Sequence, residues 1–158
     1  MRATLQTSRR EDEIVGQNNR QELVCDCVKT RADMSAAIDK VARTMALSGF
    51  PRCDIVGVRV AVEEAVLNAF KHAYRDAPGN PVFIRHAINR DQVVLEIEDQ
   101  GTGFNLASIP DPTQPENWER DSGRGIFLMR TYMTFVGYND RGNCVTLCKQ
   151  ASIPLGGD

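Results

Sequence analysis

The chain has 158 residues, with 19 Lys and Arg against 21 Asp and Glu, a formal net charge of −2. That length suits one domain with a short tail and is enough to bury a core without disulfides or a structural metal. The slightly acidic balance lacks the basic surplus of a nucleic-acid binder, 42% apolar residues exclude disorder throughout, and no segment approaches the ~20 apolar residues of a membrane span.

Residues 1–20 are polar and without periodicity, which predicts a flexible arm. They carry charge but no apolar stretch of the secretory type, so a cytoplasmic location is expected. Gln21 to Lys29 alternates apolar and polar residues, as a strand does, and places Cys25 and Cys27 on one face. The five cysteines are odd in number and scattered, and only two histidines, His72 and His86, accompany them. That pattern points to reduced cysteines used as small apolar residues rather than to a disulfide framework or a zinc site.

Asp33 or Ser35 is expected to cap a first helix running to about Ser48, whose apolar residues Met34, Ala37, Ile38, Val41, Ala42, Met45 and Ala46 recur at three and four. Gly49 can end it. Pro51 and Asp54 open a longer helix to about Tyr74, and the turn-rich run from Asp76 to Pro81 breaks it. Val82 to Asn89 and Gln92 to Glu98 read as two strands joined at Arg90-Asp91. Gly101 to Ser122 is a long loop containing Pro110, Pro112 and Pro115, and Gly125 to about Met133 is a third helix. Phe135 to Asn139 and Asn143 to Lys149 form a closing hairpin, and residues 151–158 are expected to fray. Helices and strands mix without strict alternation, so the expected fold is an α/β two-layer sandwich, a mixed or antiparallel sheet with helices on one face.

Three segments carry chemistry. On the second helix Glu64 and Asn68 are spaced i,i+4, with Lys71 and His72 a turn later, so they lie along one side. An asparagine inside a helix competes with the backbone for hydrogen bonds, and its amide oxygen is a suitable hard ligand for Mg2+. The strand ending at Glu98 delivers Asp99-Gln100-Gly101-Thr102-Gly103, a carboxylate able to accept from an exocyclic amine such as that of adenine, followed by two glycines that let the backbone approach a ligand. Ser122-Gly123-Arg124-Gly125 leads into an apolar helix and offers free N–H groups and a dipole end to a phosphate. It matches neither a P-loop nor a dinucleotide-binding fingerprint.

The run Glu64-Ala65-Val66-Leu67-Asn68-Ala69-Phe70-Lys71-His72-Ala73-Tyr74 resembles the N-box of the GHKL ATPase/kinase superfamily, which includes DNA gyrase and the histidine kinases. Asp99 to Gly103 resembles its first glycine box, and Gly123-Arg124-Gly125 with the helix that follows resembles its second. Within the superfamily the chain is most similar to the bacterial anti-sigma-factor serine/threonine kinases, over roughly residues 21–150. No histidine-bearing helix pair precedes the domain and no transducer domain follows, which speaks against a histidine kinase or a gyrase-like machine.

The resemblance implies a Bergerat (histidine-kinase-like ATPase) fold with a mixed sheet of four or five strands. It implies ATP and Mg2+ as cofactors, with Asn68 ligating the metal and Glu64 acting as general base or orienting group. Asp99 would bind the adenine amine, with Gly101 and Gly103 shaping the pocket, Phe104 packing under the loop and Thr146 supporting adenine recognition. Gly123, Arg124 and Gly125 would contact phosphates, and Lys71 and His72 fit the same pattern. Residues 105–122 would form the ATP lid. The implied activity is a serine/threonine kinase that binds a sigma factor, phosphorylates a STAS-domain anti-anti-sigma protein and acts as a homodimer. The alternative is an ATP-binding switch module without kinase activity that controls a phosphatase or cyclase by docking. No nucleic acid and no membrane is implied as a partner.

Overall fold

A computed structural model describes residues 23–76, 79–103, 105 and 121–153. The predicted arm, Phe104 and nearly all of the expected lid lie outside these residues. Strand β1 is Val24–Val28, followed by helices α1, Arg31–Leu47, and α2, Arg52–Asp76. Strands β2, Val82–Ile88, and β3, Gln92–Glu98, come next, then helix α3, Asp121–Tyr132, and strands β4, Phe135–Tyr138, and β5, Cys144–Gln150.

Helix α1 starts earlier than expected because Thr30, not Asp33 or Ser35, is its cap. Thr30 Oγ1 accepts from the Asp33 N–H at 3.1 Å, and Asp33 Oδ2 accepts from the Thr30 N–H at 2.9 Å. The two residues form a reciprocal capping box with Asp33 at its third position. At the other end Gly49 takes a φ of +90°. Its N–H donates to the Ala46 carbonyl and that of Phe50 to the Met45 carbonyl, the paired closure that stops a helix and turns an apolar residue back onto it. Phe50 is accordingly buried.

The strands form one sheet of five in the order β1-β2-β3-β5-β4. Every pairing among the described residues is antiparallel, so the expected two-layer α/β fold is present while the mixed sheet is not. The reason lies in the connections. β3 and β4 point the same way across the intervening α3, as parallel strands joined by a crossover helix do, but the closing hairpin inserts β5 between them. The strand β2 stops one residue short of expectation because Asn89 leaves the ladder. Its Oδ1 accepts from the N–H groups of Asp91 and Gln92, both at 2.8 Å, and so builds the turn.

Alternation sorts each strand between a helix-covered face and an open one. Val82, Ile84, Leu95, Ile97, Val145 and Leu147 are buried against the inner stripe of α2, formed by Val58, Ala61, Val62, Ala65, Val66 and Ala69. Among the described residues the core is mainly aliphatic, with Phe50 and Phe70 as its buried aromatic members. On the open face Arg85 donates to Glu96 at 3.0 Å and to Glu98 at 2.7 Å. Burial and the nearby Glu96 and Glu98 push the neighbouring Cys144 thiol up to about 11. Among the described residues all five cysteines are free; Cys148 is buried, whereas Cys25, Cys27 and Cys53 are exposed rather than used in the core.

The start of the segment expected to fray is anchored. The Ala151 N–H donates to the Asp91 carbonyl at 2.7 Å, and the Ser152 N–H and hydroxyl each donate to the Asp54 carboxylate at 2.7 Å. Lys149 Nζ lies 3.4 Å from the same carboxylate, which is buried at the start of α2. Burial raises the Asp54 pKa, but the Ser152 hydrogen bonds and Lys149 outweigh it and hold it below the ordinary 3.8. Asp54→Ala is expected to cost about 1–3 kcal/mol, the penalty for breaking a buried, hydrogen-bonded carboxylate. Because the folded pKa is depressed, this stabilisation is present above the unfolded carboxylate value and is lost as pH falls through the folded one. Urea unfolding of parent and variant should therefore differ most at pH 7, the gap narrowing as pH falls below the unfolded carboxylate value of about 4.

Candidate nucleotide-binding site

Helices α2 and α3 pack closely because glycines face the contact. A Cβ on Gly57 would sit 3.1 Å from the ring of Tyr132, so the Tyr132 side chain of α3 lies directly on the α2 backbone there. At the other end of the contact a Cβ on Gly125 would lie 2.9 Å from Glu64 Oε2 and 3.1 Å from Asn68 Nδ2. The tips of two residues from the N-box-like run thus meet the backbone of the second glycine-rich segment. An i,i+4 pair on one helix can do this only from a common face. Lys71, three residues beyond Asn68, lies on that face and is exposed.

Gly123, Arg124 and Gly125 do not form a loop before α3, as the glycine content suggested. They lie within the helix, which begins at Asp121. The N–H groups of a helix's first turn have no intrahelical acceptor, and with α3 starting at Asp121 that of Gly123 is among them, whereas that of Arg124 is the first to pair within the helix. Gly123 and Gly125 are buried and Arg124 is exposed.

Asp99 follows the last residue of β3 and is buried, 4% exposed. Its Oδ1 accepts from the Gly101 N–H at 2.7 Å. Burial pushes its carboxyl above the ordinary 3.8, against the Gly101 hydrogen bond and the charge of His72, while Glu98 adds to the rise. His72 is therefore brought from α2 into the electrostatic neighbourhood of Asp99. A carboxylate has about four acceptor positions, so the one taken by Gly101 leaves capacity for an exocyclic amine. Gly103 has a φ of +82°, and a Cβ there would run into the Arg141 carbonyl. The turn between β4 and β5 therefore forms a wall of this loop.

Thr146 is not part of the assembly. In β5 it pairs with Glu96 of β3 and, with Val145 and Leu147 pointing inward, faces the open side of the sheet. There it lines a cavity of about 440 Å3 with Arg85, Glu96, Glu98 and Phe135. The residue from this hairpin that does reach Asp99 is Asn143, whose Nδ2 donates to the Asp99 carbonyl at 3.1 Å. Sequence reasoning passed over Asn143, although a signal was available. The apolar neighbours of Thr146 forbid it from facing the helices, which leaves the turn as the source of a contact.

The site is thus a helix face carrying a carboxylate and an amide against a glycine backbone, beside a buried carboxylate at a strand end. That combination defines a nucleotide-binding ATPase-type domain. Residues 27–149 match the histidine kinase-like ATPase domain, and the chain belongs to that family. It is similar to the serine-protein kinase RsbW of Oceanobacillus iheyensis, 34% identical over 59% of this chain and 63% of that protein. The Listeria monocytogenes RsbW is 29% identical over 65% of this chain and 69% of the relative, and that of Staphylococcus aureus 31% over 78% and 86%. No helix among the described residues is long and apolar enough to cross a membrane.

Proposed function

We propose that this protein is an ATP-dependent serine/threonine kinase that acts as an anti-sigma factor in the cytoplasm, phosphorylating a STAS-domain anti-anti-sigma antagonist and binding a sigma factor as a homodimer. The observation that carries this reading is the meeting of Glu64 and Asn68 with the Gly125 backbone. The similarity to proteins named serine-protein kinases supports it.

The donor set fits a hard cation. Asn68 offers a neutral amide oxygen, which suits Mg2+ completed by phosphates and water, and the Glu64 carboxylate stands beside it as the base. Asn68 would hold the ion, and the missing side chain of Gly125 is what lets the Asn68 and Glu64 tips lie against the start of α3. Bound Mg-ATP supplies the phosphoryl group and neutralises its charge. Glu64 accepts the proton of the substrate hydroxyl, and Asp99 orients the base through its amine, with Gly101 and Gly103 shaping that pocket. The N–H group of Gly123, the Arg124 guanidinium, Lys71 and His72 stabilise the phosphates. Such a site works by placement and electrostatics, which is what phosphoryl transfer demands. The test is incubation with Mg-ATP and a STAS-domain protein from the same genome. Phosphoserine or phosphothreonine on the STAS protein is expected, and its absence with every STAS protein of that genome overturns the kinase reading.

A further inference from the structure

We infer that Asn143 is the positioning residue of the adenine-recognising carboxylate, an inference that rests on the reading of Asp99 as the acceptor for the adenine amine. Glu98 pairs with Cys144 in the β3–β5 ladder, so Asp99 and Asn143 form the next register beyond the strand ends. Ladders splay where the strands stop, yet here both backbone groups of Asp99 are held by one residue. The Asp99 N–H donates to the Asn143 carbonyl at 2.9 Å, and the Asp99 carbonyl accepts from Asn143 Nδ2 at 3.1 Å.

The orientation of the Asn143 amide is itself fixed. Its Oδ1 accepts from Asn139 Nδ2 at 2.8 Å, and the Asn143 backbone N–H donates to Asn139 Oδ1 at 3.0 Å. Turning the amide over would set oxygen against the Asp99 carbonyl and nitrogen against a donor, so the network admits one arrangement. Asn143 is buried, 6% exposed. With Gly101 holding Oδ1, the Asp99 side chain leaves a clamped backbone in one direction. Asn143 thereby does from the turn what Thr146, on the far face of the sheet, is not placed to do.

The readout is discrimination between adenine and hypoxanthine, which lacks the exocyclic amine. Calorimetric titration with Mg-ADP and Mg-IDP is compared for the parent, Asp99→Asn, Asn143→Ala and Asn143→Thr. The parent is expected to prefer ADP, and Asn143→Ala to reduce that preference at least fivefold while IDP affinity stays within about twofold. Asn143→Thr, whose hydroxyl can donate to the Asp99 carbonyl, is expected to restore part of it. Should Asn143→Ala fail to fold by circular dichroism, Asn143→Asp keeps the shape and loses the donor, and the same loss is expected. A folded variant that keeps the parental preference, or that weakens both ligands equally, overturns the inference. A parent that binds ADP and IDP alike overturns the adenine reading of Asp99 and the inference with it. A preference abolished by Asp99→Asn but untouched by the Asn143 variants sinks the inference alone.

Discussion

Glu64→Gln is expected to slow phosphoryl transfer to the acceptor protein by about 10²–10⁴-fold, the usual contribution of a positioned general base. Glutamine keeps the length and shape of the side chain, so its tip still reaches the Gly125 backbone, but an amide cannot take the hydroxyl proton. Asn68, one turn on, is untouched, so ADP affinity is expected to change by less than about threefold, an interaction of at most a few tenths of a kcal/mol. Single-turnover transfer from labelled ATP, with ADP titration alongside, separates the two quantities. A rate equal to the parent removes Glu64 from the chemistry. A matching loss of affinity instead makes it a binding residue.

The second large effect is on the fold around the site. Gly103 holds a φ of +82°, which costs an ordinary residue about 1–2 kcal/mol, and its missing Cβ is where the Arg141 carbonyl lies. In Gly103→Ala the loop and the β4–β5 turn must separate, adding about 1–3 kcal/mol of overpacking. The sum, about 2–5 kcal/mol, is a large share of the 5–15 kcal/mol typical of a domain and predicts a melting temperature lower by roughly 4–20 °C. Gly79 is the control. Its φ of +85° carries the same backbone cost, but nothing lies within 4 Å of the position a Cβ would take. Gly79→Ala should therefore cost about 1–2 kcal/mol, and equal losses from the two substitutions would rule out the steric account.

Much of this architecture was legible in the residues, for reasons that differ by element. The apolar spacing of Met34, Ala37, Ile38, Val41, Ala42, Met45 and Ala46 is a local signal of a buried helix face; five of the seven are buried, while Ala42 is half-buried and Ala46 exposed. The start of that helix was misplaced because Thr30 and Asp33 are both good caps, and only their reciprocal hydrogen bonds decide which one leads. The second glycine segment was read as loop because glycine disfavours helix interiors by about 1 kcal/mol. Tertiary packing overrides that preference here, since Gly57 and Gly125 are what allow α2 and α3 to approach. Sheet order was the least accessible, because it depends on contacts between segments far apart in the chain. The N-box-like run and the second glycine segment, both singled out in the residues, come together in the structure at Gly125. The clamp on Asp99 escaped notice because it comes from a turn 44 residues away.

The position of β5 has a consequence for how this molecule comes into being. The last strand of the sheet in chain order is an interior one, flanked by β3 and β4. Until it is in place, β3 has an unpaired edge, β4 has no neighbour at all, and Asp99 lacks its backbone partner. Nucleotide recognition and the long-range ladder thus mature in a single late step, the kind of non-local closure that slows folding. A nascent chain released short of residue 144 would present a bare β3 edge to other chains, which favours aggregation over a partly working ATP site.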